Sequence, residues 1–287
     1  MIYKQISKIP KEVIHKSIKS FLEEDMPNGD ATTDYIFIND NKIVRCEIEA
    51  KEDLYLSGIN LLEFFFEDAE IKKYFKDGDF VKNKAIIAEI ETTSSNILKK
   101  ERVLLNLMQR MSGIASITAK YVEKAKIHNV HILDTRKTTP GLRYFEKYAV
   151  NCGGGTNHRF DLSSAVMIKD NHIACAGGIK EAIELILEKN LGLKVEVEVD
   201  NIEQLKEVIK YPIDSILLDN FTRDKTIEAV NIIRNNALNK ELFIESSGGI
   251  NFSNIDNYLD TGINAISSGA LTHSVKSSDI SLNIKNY

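Results

Sequence analysis

Apolar positions along the chain change their period near residue 130. Val13, Ile14, Ile18, Phe21 and Leu22 fall on one face of a 3.6-residue helix, and Pro27, Asn28, Gly29 and Asp30 supply the turn that ends it. Short apolar or alternating runs at 43–49, 54–56 and 85–91 predict strands, with Asp77, Gly78 and Asp79 forming a turn between the last two. Thr92, Thr93, Ser94 and Ser95 offer N-caps to a long helix carrying Ile97, Leu98, Leu104, Leu105, Leu107 and Met108, whose pattern reaches Ile117. Strand and helix do not alternate regularly here, so a small mixed α+β domain is expected. The boundary should fall within or near the long helix, dividing the chain into 1–110 and 111–287.

Beyond residue 130, short apolar runs are followed by helical patterns. The runs at 130–133, 165–168, 195–199, 215–218, 242–244 and 265–266 predict six parallel strands, separated by helices such as 179–187 and 202–209. Such alternation means a parallel sheet, most simply closed into a barrel, although six strands are too few for the eightfold form. Each run ends in polar residues: Asp134, Lys169, Asp200, Asp219, the pair Glu245 and Ser246, and Ser267. In a barrel the C-terminal strand ends converge, so these groups should meet.

Composition narrows the function classes. A chain of 287 residues with 43% hydrophobic and 28% charged residues is ordinary for a soluble globular protein, and its net charge of −5 argues against a general nucleic-acid binder. No stretch approaches the roughly 20 apolar residues of a membrane span, and the N-terminus MIYKQISKIPKEV lacks the apolar core of a signal peptide, so the cytoplasm is the default compartment. Cys46, Cys152 and Cys175 are odd in number and lack metal-ligand spacing, which predicts no disulfide framework. Cys152 has no base beside it in sequence and reads as a small buried residue.

Against this acidic background, residues 132–172 gather Arg136, Lys137, Arg143, His158, Arg159, Lys169 and His172 around Gly153, Gly154 and Gly155, in a segment that looks like loops between strands. Arginine forks match carboxylates, lysines supply point charges for phosphate, and glycines let backbone N–H groups approach an anion. The segment therefore reads as a site for a substrate with several negative charges, whereas any one arginine taken alone reads as a surface ion pair. Lys169 ends an apolar strand, where an anionic ligand or an acidic neighbour must compensate it. Asp170, Asn171 and His172 either orient that lysine or cap the next segment. Glu196, Glu198 and Asp200 share one strand face, so periodicity does not choose among them. Ser246, Ser247, Gly248 and Gly249, then Ser267, Ser268 and Gly269, form two small-residue loops after consecutive strands. Their backbone N–H groups suit a phosphate, with His273 near enough in sequence to add a donor, although one such loop alone would look like any flexible turn.

The motifs DTRKTTPGLR, EKYAVNCGGGTNHR and VMIKDNHI, in that order, resemble the nicotinate-nucleotide pyrophosphorylase family, also called quinolinate phosphoribosyltransferase. ERVLLNLMQRMSGIA upstream and VEVEVD, ILLDNF, IESSGGI and SSGALTHS downstream resemble it too, so that the likeness covers nearly the whole length and is weakest in the first ninety or so residues. The resemblance implies an α/β protein, an incomplete parallel α/β barrel with an N-terminal α+β sandwich domain to which the last residues return. It implies phosphoribosyl transfer from phosphoribosyl pyrophosphate to quinolinate with decarboxylation, giving nicotinate mononucleotide, pyrophosphate and CO2 in NAD biosynthesis. Arg136 and Arg159, with Thr135 and His158, would bind the two carboxylates, and Lys137 and Lys169 the reacting ring and ribose. Glu198 and Asp219 would contact the ribose hydroxyls and the water shell of Mg2+, and Ser246, Ser247, Gly248, Ser267, Ser268, Gly269 and His273 the 5′-phosphate. Lys137, Lys169, Glu198 and Asp219 would form the catalytic set. Arg102 would reach a neighbouring subunit's active site, which makes a homodimer the working unit. Rival readings are a nicotinate phosphoribosyltransferase that handles one carboxylate, an aldolase-like lyase with Lys169 as a Schiff base, and a non-catalytic relative. The three arginines disfavour the first, the phosphate loops the second, and the intact MIKDNH and acidic set the third.

Overall fold

A computed structural model describes residues 2–38, 42–236 and 241–285. Its strands in chain order are β1 (Ile43–Ala50), β2 (Leu54–Tyr55), β3 (Glu70–Lys73), β4 (Phe80–Val81), β5 (Ile86–Thr93), β6 (His131–Leu133), β7 (Val166–Ile168), β8 (Val195–Val199), β9 (Ser215–Asp219), β10 (Phe243–Ser247), β11 (Ala265–Ser267) and β12 (Ile280–Ile284). By packing, the chain falls into two interleaved units. One comprises Ile6–Ala119, Thr138–Gly154 and Leu271–Tyr287, the other Met1–Gln5, Lys120–Lys137 and Gly155–Ala270.

The first unit holds an antiparallel sheet in the order β12-β1-β5-β3 and a small β2-β4 ladder. In β1 the alternation is literal: Cys46, Ile48 and Ala50 are buried, and their neighbours are not. The predicted first helix is Lys11–Asp25 and buries Ile14 and Ile18. The long helix runs Ser94–Ala125, its first turn closed by the Asn96 N–H donating to Thr93 Oγ1 at 3.3 Å. β3 escaped prediction because Glu70–Lys73 is mostly polar; pairing with β5 makes it a strand. Residues 143–152, expected among loops, are a helix (Arg143–Cys152) that buries Phe145, Ala149 and Val150 at helical spacing.

The second unit is a six-stranded parallel sheet in the order β6-β11-β10-β9-β8-β7, open between its edge strands β6 and β7. Together the units make an α/β protein with an N-terminal antiparallel sheet and a C-terminal parallel α/β domain. The intervening helices include Ile179–Glu188, Ile202–Val208 and Arg223–Asn235, the last two capped by the Asn201 and Thr222 side chains. Every residue of β8 is buried, including Glu196 and Glu198, as in a parallel strand covered on both faces. The N-terminal segment lies in this unit: Tyr3 packs with Leu133, Ala165 and Ala265, and Gln5 exchanges hydrogen bonds with the Asn157 main chain at 2.7 and 3.2 Å. Among the described residues no helix is long and apolar enough to cross a membrane. The cysteines are all free.

Candidate active site

Strand alternation decides which side chains meet at the open end of the parallel sheet. In register, Glu198 lies opposite Leu217, Leu217 opposite Glu245, and Glu245 opposite Ala265, so these positions share one face. Two residues further on, Asp219 pairs with Ser247, and the Ser267 hydroxyl donates to Ser247 Oγ at 3.0 Å. That face encloses a cavity of about 480 Å3. Thr135, Arg136, Lys137, His158 and Arg159 line it, as do Lys169, Glu198, Asp219, Ser247, Gly248 and Ser267, all of them candidates from sequence. Met167, Leu217 and Glu245 complete the lining.

Other expected residues lie elsewhere. Ser246 alternates to the opposite face and is buried, and Ser268 donates its hydroxyl to the Ile250 carbonyl at 2.8 Å. Gly269 does not line the cavity. Arg102 is exposed on the long helix of the antiparallel unit, and His273 belongs to that unit as well. Gly153 and Gly154 are also there and use their N–H groups to close the Arg143–Cys152 helix, donating to Ala149 and Asn151. A Cβ on Gly153 would stand 2.4 Å from the Ala115 carbonyl oxygen, so helix packing accounts for that glycine. Gly248 is needed at the cavity, because its φ is +86° and a Cβ would meet Asn220 Oδ1 at 2.3 Å.

The cations of the cavity are incompletely compensated. Arg159 is buried and bonds the Ala165 carbonyl at 3.1 Å; burial first, then the neighbouring Arg136, hold its guanidinium below the usual range. The Nε of Arg136 is buried with no hydrogen-bond partner. Asp134, wholly buried, holds the 157–158 segment in place by accepting from Asn157 Nδ2 at 2.7 Å and the His158 N–H at 2.9 Å. Lys169 finds the acidic neighbour its position requires, pairing with Glu198. His172 caps the Asp170–Ala176 helix by accepting the Lys169 N–H at 3.0 Å, which settles its role as a cap. Burial raises the carboxyls of both Glu198 and Asp219, opposed by Lys169, with Asp219 adding to the rise at Glu198 and Asp200 to that at Asp219. Carboxylates that resist ionisation together suit a cation held between or beyond them.

Tyr3 was missed by sequence reasoning, and Glu196 was left undecided beside Glu198 and Asp200. Tyr3 stacks on His158 with ring centroids 4.4 Å apart and donates its hydroxyl to Glu196. Nothing in the local pattern marks Tyr3; Glu245 was visible only as a polar strand end. Both His158 nitrogens are engaged within the protein: Nδ1 accepts the Arg159 N–H at 2.7 Å, and Nε2 lies 3.1 Å from Glu196. The ligand atoms of His158, Glu196 and Glu245 lie within 4.8 Å of one another, close enough to share a metal ion. A metal there would have to displace the Nε2 contact with Glu196.

Residues 114–283 match the family described as quinolinate phosphoribosyl transferase, C-terminal domain, and residues 30–112 match its N-terminal domain. The chain belongs to the quinolinate phosphoribosyltransferase family. It is 43% identical over 284 residues to the probable nicotinate-nucleotide pyrophosphorylase [carboxylating] of Methanocaldococcus jannaschii, spanning 96% of this chain and 99% of that one. It is 42% identical to a quinolinate phosphoribosyltransferase [decarboxylating] of Nicotiana glauca, a mitochondrial protein, over 82% of this chain and 72% of that one. The solved nicotinate-nucleotide pyrophosphorylase of Francisella tularensis superposes with a TM-score of 0.91 at 34% identity, over 98% and 99% of the two chains. Within a quinolinate phosphoribosyltransferase fold, the charged cavity at the strand ends is the candidate site.

Proposed function

We propose that this chain transfers phosphoribose from phosphoribosyl pyrophosphate to the ring nitrogen of quinolinate, with loss of CO2, giving nicotinate mononucleotide and pyrophosphate for NAD biosynthesis. The observation that carries the reading is one cavity in which the mutually repelling Arg136 and Arg159 accompany Lys137, Lys169, Glu198 and Asp219. Two guanidiniums that repel one another, one of them with an unpartnered buried Nε, favour a dianion, and a pyridine dicarboxylate supplies it. Arg136 and Arg159 bind the two carboxylates and orient the ring, with Thr135 beside them. Ser247, Gly248 and Ser267 offer a small-residue cradle for the 5′-phosphate.

The ring nitrogen displaces pyrophosphate from the anomeric carbon through a transition state of oxocarbenium character. Lys137 and Lys169 stabilise charge on the departing group, while Glu198 and Asp219 hold the ribose hydroxyls and stabilise the developing positive charge. Glu198 and Asp219 would hold Mg2+, which would supply positive charge to neutralise the pyrophosphate leaving group. The carboxylate beside the ring nitrogen then leaves as CO2; its electron pair stays on the ring carbon next to the pyridinium nitrogen and takes up a proton. Positioning does most of the work, because both substrates are anions. The functional unit in this reading is a homodimer in which the exposed Arg102 of one chain completes the partner's site. Incubating purified protein with quinolinate, phosphoribosyl pyrophosphate and Mg2+ tests the reading: nicotinate mononucleotide should form, only when all three are present. Its absence would overturn the assignment.

A further inference from the structure

Glu245 lines the substrate cavity and has no part in the reaction as drawn above. It is wholly buried on β10, where its carboxyl oxygens make no well-formed hydrogen bond although the Ser267 hydroxyl lies beside them. The group nearest to neutralising it is His158, whose Nε2 lies 3.6 Å from Oε2, beyond a hydrogen bond. Its Nδ1 accepts the Arg159 N–H, and its Nε2 is directed at Glu196, 3.1 Å away. Glu196 also takes the Tyr3 hydroxyl and the Ser215 hydroxyl, the latter at 2.8 Å. Of two neighbouring buried carboxyls, Glu196 therefore has three donors and Glu245 at most the Ser267 hydroxyl, and like charges so close cannot both ionise readily.

We propose that Glu245 works as a neutral carboxylic acid in the substrate cavity, and that its proton makes the site selective for a doubly anionic substrate. Neutral, it adds no negative charge to the cavity wall; ionised, it repels the substrate's carboxylates through the wall. The proposal rests on the reading of the cavity as a dicarboxylate site. The groups that act on Glu245 are Tyr3 of the N-terminal segment, His158, Lys169 at the end of β7, Glu196 of β8 and the Ser267 hydroxyl, with Arg159 and Glu198 lining the same cavity. Burial, reinforced by Glu196 and opposed by His158, lifts the Glu245 carboxyl to about 7. Three donors outweigh burial at Glu196 and hold it below its ordinary value, which leaves the charge there.

The test is the pH dependence of KM for quinolinate, from pH 6 to 8.5 with the other substrate and Mg2+ saturating. In the parent enzyme this KM should rise at least tenfold above pH 7, while KM for phosphoribosyl pyrophosphate does not follow. Glu245→Gln, which stays neutral at every pH, should show a quinolinate KM that is pH-independent and close to the parent's value at pH 6. A flat parent profile, or a Gln variant that retains the parent's rise, would overturn the inference and leave the reaction assignment standing. A parent that never turns quinolinate over would overturn both. Should the variant fail to fold, calorimetry of quinolinate binding to the parent at pH 8, in buffers of differing ionisation heat, decides. Uptake of close to one proton supports the proposal, and uptake near zero removes it.

Discussion

Two cavities of similar size show how differently this chain treats a buried carboxyl. In the antiparallel unit a cavity of about 370 Å3 is lined by Asp77, Tyr148, Gly58 and Met111 among others. Asp77 there is saturated: Oδ1 accepts the Gly58 and Ile59 N–H groups at 2.7 and 3.0 Å, and Oδ2 accepts from Asn60 at 3.0 Å and the Tyr148 hydroxyl at 2.8 Å. Burial raises its carboxyl even so, against the pull of those donors. Cys152 shares the environment and its thiol is pushed up to about 12, mainly by burial, which makes it inert as a nucleophile at neutral pH. In the strand-end cavity Glu245 makes no well-formed hydrogen bond, Arg136 Nε has no acceptor, and Arg159 is destabilised by its neighbour. Volume does not separate the two. The unsatisfied polar groups do, because a fold tolerates them where a ligand completes them.

The sharpest way to break this contrast is to disable the charged cavity through two chains at once. We predict that Lys169→Ala and Arg102→Ala homodimers are each nearly inactive. Unfolding and refolding equal amounts together should return about a quarter of parental activity, since about half the dimers are mixed and each has one intact site of two. No recovery, with mixed dimers confirmed by mass spectrometry, would place Arg102 outside the partner's site.

Next in size, Arg136→Ala and Arg159→Ala should each weaken quinolinate binding at least tenfold and phosphoribosyl pyrophosphate much less, because a charge-assisted bond is worth about 1.5–3 kcal/mol. Equal losses for both substrates would mean that the guanidiniums do not select the diacid.

The saturated cavity should behave in the opposite sense. Asp77→Ala leaves the Gly58 and Ile59 N–H groups and the Tyr148 hydroxyl without their acceptor, and should lower stability by about 2–4 kcal/mol in denaturant melts. Its quinolinate KM should stay within about twofold of the parent, as the binding energy of the substrate does not pass through it. A selective rise in KM with unchanged stability would reverse the roles assigned to the two cavities.

The smallest expected effect is thermodynamic. Glu245 is neutral in the folded chain up to about pH 7 but ionised in the unfolded chain above the ordinary carboxyl value. The folded state therefore binds more protons between those limits, and the stability owed to this group is full at low pH and lost as pH rises towards 7. Glu245→Gln should remove that loss and gain about 1–3 kcal/mol relative to the parent on going from pH 4.5 to pH 8. Parallel stability profiles for the two proteins would refute it.

Local pattern was enough for the parallel strands and most of the cavity's charged lining. Ser215–Asp219 is a short apolar run closed by an acid, and parallel strands brought into register put such ends side by side whatever the loops do. The DTRKTT and IKDNH motifs likewise placed Arg136, Lys137 and Lys169, since each directly follows a strand. Local pattern could not decide what Ser246 does. It sits between two cavity residues, and only strand alternation in the folded sheet turns it away from them.

What the sequence determined by itself was thus whatever depends on neighbours a few residues apart: helical and strand periods, caps, and the concentration of cations in one segment. Only the tertiary structure decided that Tyr3 meets Glu196, 193 residues away, that Gly153 serves helix packing, and that burial raises the Glu245 carboxyl. Burial and like charge set those outcomes, and both are properties of the space around a group, which distant segments fill.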